Sequence, residues 1–224
     1  MVLFSASIMC ANQLELKKEL VNLEGAGIDM LHCDVMDGIF VNNLAMGPYV
    51  LEQIKENSNI PLDIHLATID PEKYIRLFLP LKPKYISFHI ETTNYPFELI
   101  TLLKENNIGA SLAISPETDI SKIETILKYI DMVLIMTVNP GFAGQNFNYK
   151  TLSKLAELKR ICQRLNVNPT LEVDGCINAS TIPLVVNAGA NLLVLGTSSL
   201  FKNNHDYKQK LEVLKKLINN LGEN

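Results

Sequence analysis

Eight short apolar runs recur along this chain, each separated from the next by a longer mixed segment. They are VLFSASI (2–8), MLHCDVM (30–36), PLDIHLA (61–67), YISFHI (85–90), GASLAI (109–114), MVLIMTV (132–138), TLEVDG (170–175) and LLVLGTS (192–198). All are rich in Val, Ile, Leu or Phe and bounded by turn formers, the signature of buried strands. The segments between them carry helix signals. Asn12 can cap NQLELKKELVNLEGAG, with Glu15 three residues on as a capping-box partner and Gly25 or Gly27 near the stop. Asp70-Pro71 offers an acidic cap followed by proline at the first helical position. LKYI, LAELKRICQRL and LEVLKKLINNL continue the series. Strand–helix units repeated over 224 residues, with no linker or composition break, predict a single (β/α)8 TIM barrel spanning 1–224. A doubly wound sheet would usually show a glycine-rich first turn, and no GxGxxG is present.

Composition removes several function classes. The net charge is −4 and no basic run occurs, which argues against a nucleic-acid partner. No apolar stretch reaches the ~18 residues of a membrane span. The first ten residues, MVLFSASIMC, lack a basic n-region and read as a first strand. The four cysteines form no CxxC, so reduced thiols and a cytoplasmic location are expected.

In a barrel of this kind the chemistry belongs at the C-terminal ends of the strands. Polar residues fall there: Ser7 on the first run, His32, Asp34 and Asp37 on the second, His65 on the third, NPGFAGQ (139–145) after the sixth, Asp174-Gly175 on the seventh and Gly196-Thr197-Ser198 on the eighth. Strand alternation puts His32 and Asp34 on one face, toward the barrel interior, and turns Cys33 and Val35 to the helix layer. Each polar residue alone has a plain structural explanation. A lone His65 reads as a satisfied core histidine, and a lone Asp174 before glycine reads as a turn residue. Together, two histidines and two aspartates at strand ends point to a site for one divalent metal ion: zinc, cobalt, manganese, iron or magnesium. His89, followed by Glu91, reads as a pocket or structural group, and His205 as solvated.

A second constellation suits an anion. NPGFAGQNF, DGC and GTSS each link a strand to the next helix, where backbone N–H groups and helix N-termini can form a phosphate nest. The three arginines, Arg76, Arg160 and Arg164, fall within helical segments, so the phosphate would be held by amides and hydroxyls.

HCDVMDGIFVNN, LDIHL, IMTVNPGFAGQNF and LEVDG, in this order and spacing, resemble the ribulose-phosphate 3-epimerase family from Ser5 to about Phe201. SIMC, HIETTN, SPETDI, MTVNPGFAGQ, LAELK and GTSSLF look closest to its D-allulose-6-phosphate 3-epimerase branch. The resemblance implies metal-dependent epimerisation at C3 of a ketose phosphate, a small-molecule substrate and a homo-oligomer. On the branch reading this converts D-allulose 6-phosphate to D-fructose 6-phosphate; the alternative is D-ribulose 5-phosphate to D-xylulose 5-phosphate. It maps the metal ligands onto His32, Asp34, His65 and Asp174, and the acid/base pair onto Asp34 and Asp174. Substrate contacts map onto Ser7, and phosphate contacts onto Gly141, Phe142, Ala143 and Gly144, onto Gly175 and Cys176, and onto Gly196 and Thr197. Met36 and Met136 would cover the reacting carbon.

Such an inversion needs two carboxyl groups, one on each face of the sugar, acting as base and acid. The metal would stabilise the enediolate. Four positions depart from the family pattern: Ala67 replaces a methionine and leaves space in the pocket, Cys176 and Ala143 replace glycines, and Asn42 replaces a proline. None removes a ligand or an acid/base. Another phosphate-binding barrel lyase or synthase and an inactive sugar-phosphate sensor are the competing classes. A Schiff-base aldolase would need a lysine at a strand end, and Lys82 and Lys84 precede their strand.

Overall fold

The computed structural model describes residues 2–202 and 206–222; His205 lies outside them. The strands are β1 Leu3–Ser7, β2 Met30–Met36, β3 Leu62–Ala67, β4 Tyr85–His89, β5 Gly109–Ile114, β6 Met132–Met136, β7 Thr170–Asp174 and β8 Leu192–Leu195. Each pairs in parallel with the next, and β8 pairs with β1 to close the barrel. The helices are α1 Leu16–Ala26, α2 Pro48–Asn57, α3 Pro71–Phe78, α4 Pro96–Glu105, α5 Lys150–Leu165, α6 Ile182–Ala188 and α7 Tyr207–Asn219. None of the described helices is long and apolar enough to cross a membrane.

Local signals explain most boundaries. Asp70 accepts a hydrogen bond from Lys73 N, and Pro71 opens α3 as expected. At the first helix the outcome differs. Asn12 caps a 3-10 turn, Gln13–Glu15, by accepting from Leu14 N, and α1 begins only at Leu16. Gly27 stops α1 at φ 73, a left-handed conformation that costs glycine little. The eighth strand ends at Leu195, three residues before the sequence suggests, because Gly196 begins a tight turn.

The segment containing LKYI is not an α-helix. After β5 the chain makes a 3-10 turn, Ile120–Lys122, and continues in turns to β6. Ile123, Ile126 and Tyr129 donate to the carbonyls three residues back. The buried residues Ile120, Ile123 and Ile126 recur every third position, the 3-10 period. The β-branched residues Thr118, Ile120, Ile123, Thr125 and Ile126 also lower helix propensity.

Pairing register and alternation stack the inward side chains in layers of four from alternate strands. The floor is Met30, Tyr85, Met132 and Leu192. Above it lie Ser5, Asp63, Ser111 and Glu172, then His32, Ser87, Leu134 and Val194, all with at most 1% exposure. Ser7, His65, Ala113 and Asp174 come next, and Asp34, His89, Met136 and Gly196 form the top. Outward residues such as Cys33, Val35, Ile64 and Leu66 join the larger core beneath the helices.

Candidate active site

Four ionisable groups meet at the C-terminal ends of β2, β3 and β7. His32, Asp34, His65 and Asp174 each offer a ligand atom, all within 4.8 Å of one another. Asp34 Oδ1 lies 3.0 Å from His65 Nδ1 and 3.4 Å from His32 Nε2. Asp174 Oδ2 lies 3.9 Å from His32 Nε2. The His32 Nε2 atom is fully buried and has no hydrogen-bond partner. A buried nitrogen left unsatisfied costs free energy unless something binds it, so this donor set fits a metal ion.

Each histidine is backed by a second group. His32 Nδ1 sits 2.7 Å from Asp63 Oδ2 and 3.6 Å from Glu172 Oε1. His65 Nε2 sits 2.9 Å from His89 Nε2, whose Nδ1 is 3.0 Å from Glu91 Oε2. His89 thus stands behind His65. Ser7 Oγ donates to Asp34 Oδ2 at 3.2 Å, fixing the carboxylate from β1.

The two aspartates are pushed in opposite directions. Burial would raise Asp34, but the charge of the neighbouring His32 outweighs it and holds the carboxyl well below its usual range. Burial pushes Asp174 up to about 6; His32 partly offsets this, and the Asp34 charge adds to it. Burial lowers His89 to about 4 against the opposing pull of Glu91. Burial, with Asp63 beside it, raises Glu172 well above a normal glutamate. All four cysteine thiols are free, and burial raises Cys10 and Cys33, which disfavours a thiolate nucleophile.

One cleft opens above this cluster. Ser7, Asp34, Met36, His65, Met136, Gly141, Phe142, Ala143, Gly144, Asp174, Gly175, Cys176, Gly196 and Thr197 all line it, and His32 lies buried below. The loop after β6 is closed on itself by Gln145 Nε2, which donates to Asn139 O and Phe142 O. Asn43 Nδ2 donates to Gly141 O at 2.7 Å and ties this loop to the one after β2. At Gly175, φ is 121 and a Cβ would come 2.6 Å from Val138 Cγ2, so only glycine fits. Thr137 Oγ1 donates to the carbonyls of Asp174 and Gly175 and locks the β6 and β7 ends together.

A model of the ribulose-phosphate 3-epimerase family matches residues 3–201. The chain belongs to this family. A ribulose-phosphate 3-epimerase from Bacillus subtilis (strain 168) is 39% identical over 199 residues, covering 88% of this chain and 92% of the relative. One from Helicobacter pylori (strain ATCC 700392 / 26695) is 38% identical over 216 residues, covering 96% and 98%. The family makes this chain an isomerase acting on a sugar phosphate. Among solved structures, phosphoribosyl anthranilate isomerase from Thermococcus kodakaraensis superposes with a TM-score of 0.66 at 12% identity, covering 98% of this chain and all of that one. A tryptophan synthase α-subunit mutant from Pyrococcus furiosus gives 0.66 at 16%, covering 100% and 98%. At such identities the likeness concerns the barrel alone.

Against the epimerase pattern, two expectations need correction. Ala67 leaves no room in the cleft: it is fully buried in a cluster with Met36 and Val41, against which Met9, Phe40 and Ala45 pack. Among the described residues, the α-helix N-termini after β7 and β8 also lie further from the strand ends than the sequence suggests. The chain leaves β7 and β8 through tight turns, and α6 and α7 begin only at Ile182 and Tyr207. Sequence reading also passed over Asp63 and Glu172. The alternation that turned His65 and Asp174 inward applies equally two residues earlier on each strand. Asp37 is structural, its carboxylate accepting from Ile39 N, Phe40 N and Ile69 N.

Proposed function

We propose that this chain is a metal-dependent ketose-phosphate 3-epimerase, interconverting D-ribulose 5-phosphate and D-xylulose 5-phosphate with Asp34 and Asp174 as its acid/base pair. The carrying observation is the meeting of two oppositely shifted aspartates with two histidines beneath a glycine-lined cleft. Inversion at C3 needs a proton removed from one face of the carbon and another delivered to the opposite face. Asp34 on β2 and Asp174 on β7 would serve the two faces, exchanging roles with the direction of reaction.

His32 Nε2, His65 Nδ1 and the two carboxylates would hold the divalent ion, which, when bound, supplies Lewis-acid stabilisation of charge on the substrate's C2 and C3 oxygens. Imidazole and carboxylate together suit zinc, cobalt, manganese or iron, and magnesium less well. Met36 and Met136, buried and facing the cleft, exclude water from the reacting carbon. Amides at Gly141–Gly144, Gly175–Cys176 and Gly196–Thr197 would receive the phosphate. Ser198 Oγ is already committed to Ile177 O, so hydroxyl help falls to Thr197.

The names of relatives at 36–39% identity favour the five-carbon substrate over the D-allulose 6-phosphate expected from the shorter motifs. Comparing kcat/KM for ribulose 5-phosphate and allulose 6-phosphate tests the choice. A six-carbon preference above ~10-fold, about 1.4 kcal/mol, would overturn it. Within this reading the enzyme is cytoplasmic and forms a homo-oligomer. The free thiols and the exposed Leu14, Leu44 and Tyr49 are in keeping with that, and light scattering tests the assembly.

A further inference from the structure

Two imidazoles meet nitrogen to nitrogen inside this barrel. His65 Nε2 and His89 Nε2 are 2.9 Å apart, with the rings tilted by 41°. One hydrogen must lie between them, because two bare nitrogens repel and two N–H groups clash. The other nitrogen of His89, Nδ1, is 3.0 Å from Glu91 Oε2. An ionised carboxylate only accepts, so His89 Nδ1 donates. With that hydrogen on Nδ1, the His89 Nε2 that faces His65 is left as the acceptor. The hydrogen between the rings therefore belongs to His65 Nε2, which leaves His65 Nδ1 bare. That bare nitrogen faces Asp34 Oδ1 at 3.0 Å. Two acceptors at this separation need a positive charge beside them.

We propose that His89 and Glu91 are positioning residues that lock His65 in the tautomer presenting Nδ1 to a divalent cation, and so set metal affinity from outside the ligand shell. The inference rests on the metal-site reading above. Glu91 is itself held in place: its Oε1 accepts from Ser115 N at 2.8 Å and from the Thr118 hydroxyl. The Phe40 ring packs on His89 with centroids 4.7 Å apart, and His89 has no solvent exposure. Water therefore does not compete for either His89 nitrogen. A pair that merely filled the core would need neither this hydrogen-bond direction nor an anchored carboxylate at its end.

The test uses Co2+ alone as the probe, with chelator competition and the visible absorption of the bound ion. His89→Leu should weaken Co2+ binding ~10–100-fold, the usual scale for a lost partner of a ligating histidine. His89→Gln, whose amide oxygen can accept from His65 Nε2–H, should recover most of that loss, and Glu91→Gln should fall between them with an altered spectrum. Parent-like Co2+ affinity in His89→Leu, or a glutamine variant no better than leucine, overturns the inference. Imidazole 15N shifts of the Zn2+-loaded parent provide a reading that needs no variant. A protonated Nδ1 and bare Nε2 on His89 support the proposal; a doubly protonated His89 overturns it. A parent that fails to bind Co2+ sinks the metal reading itself, whereas tight binding indifferent to His89 sinks only this step.

Discussion

The two ends of the barrel interior are built from the same eight strands on opposite terms. At the floor, Met30, Met132 and Leu192 pack with Leu3 and Tyr85 in a plug without a charge. Two to four residues further along the strands, His32, Asp34, His65, His89 and Asp174 crowd into the same tube. Between them the Ser5, Asp63, Ser111 and Glu172 layer is wholly polar and wholly buried. Ser87 Oγ donates to Ser111 Oγ, while Ser5 Oγ and both Glu172 oxygens make no hydrogen bond. The difference teaches where folding and chemistry are separated. The floor closes the tube by shape and dispersion, and the top holds groups whose mutual charges would be costly unless something binds among them.

Substitutions at the two ends should therefore move different observables. The largest effect belongs to the top. Asp34→Asn and Asp174→Asn should each lower turnover by at least ~10³-fold, about 4 kcal/mol, with the circular dichroism of the fold retained. Wild-type-like exchange of the C3 proton with solvent in both variants would remove the two-base scheme. At the floor, Met132→Ala should cost ~2–5 kcal/mol in denaturant unfolding, because the packed plug cannot collapse fully. Its kcat/KM per folded molecule should stay at the parent value, and a parallel loss of rate would erase the contrast between the ends.

The middle layer sharpens the comparison through pH. Burial, with the Asp63 charge beside it, raises Glu172 well above a normal glutamate. The folded chain then keeps a proton that the unfolded chain has released. Stability from this group is present below the unfolded glutamate value and is lost as pH rises from there toward the raised folded pKa. Relative to Glu172→Gln, the metal-free parent should lose up to about 1.4 kcal/mol of unfolding free energy per pH unit in that window. A difference independent of pH would show that Glu172 is already ionised. The smallest effect lies at the rim. Cys176 holds φ 54, and Cys176→Gly should stabilise the fold by ~1 kcal/mol by relieving a left-handed side-chain penalty. A destabilised glycine variant would mean that the contact between its sulfur and Asn178 matters more than the backbone.

Most of this was readable from residue order, for physical reasons. Buried parallel strands are continuous apolar runs, so MLHCDVM and GASLAI match β2 and β5 residue for residue. Alternation alone assigns His32 and Asp34 to the interior. What escaped depends on distances across the barrel. Nothing local in YISFHI says that His89 faces His65 rather than a hydroxyl, because β4 and β3 must first come into register. The helix expected at LKYI failed because an apolar residue every three positions satisfies a 3-10 turn as well as part of an α-helix.

That missing helix leaves a thinner wall between β5 and β6. Lys154 of α5 reaches into it and donates to the carbonyls of Ser115, Pro116 and Thr118. Ser115 and Thr118 in turn grip Glu91. A surface helix is therefore wired by four successive polar links to a histidine at the centre of the barrel. On the proposed chemistry, drift at Lys154 would act on the site from a distance, without altering any group placed to meet the sugar.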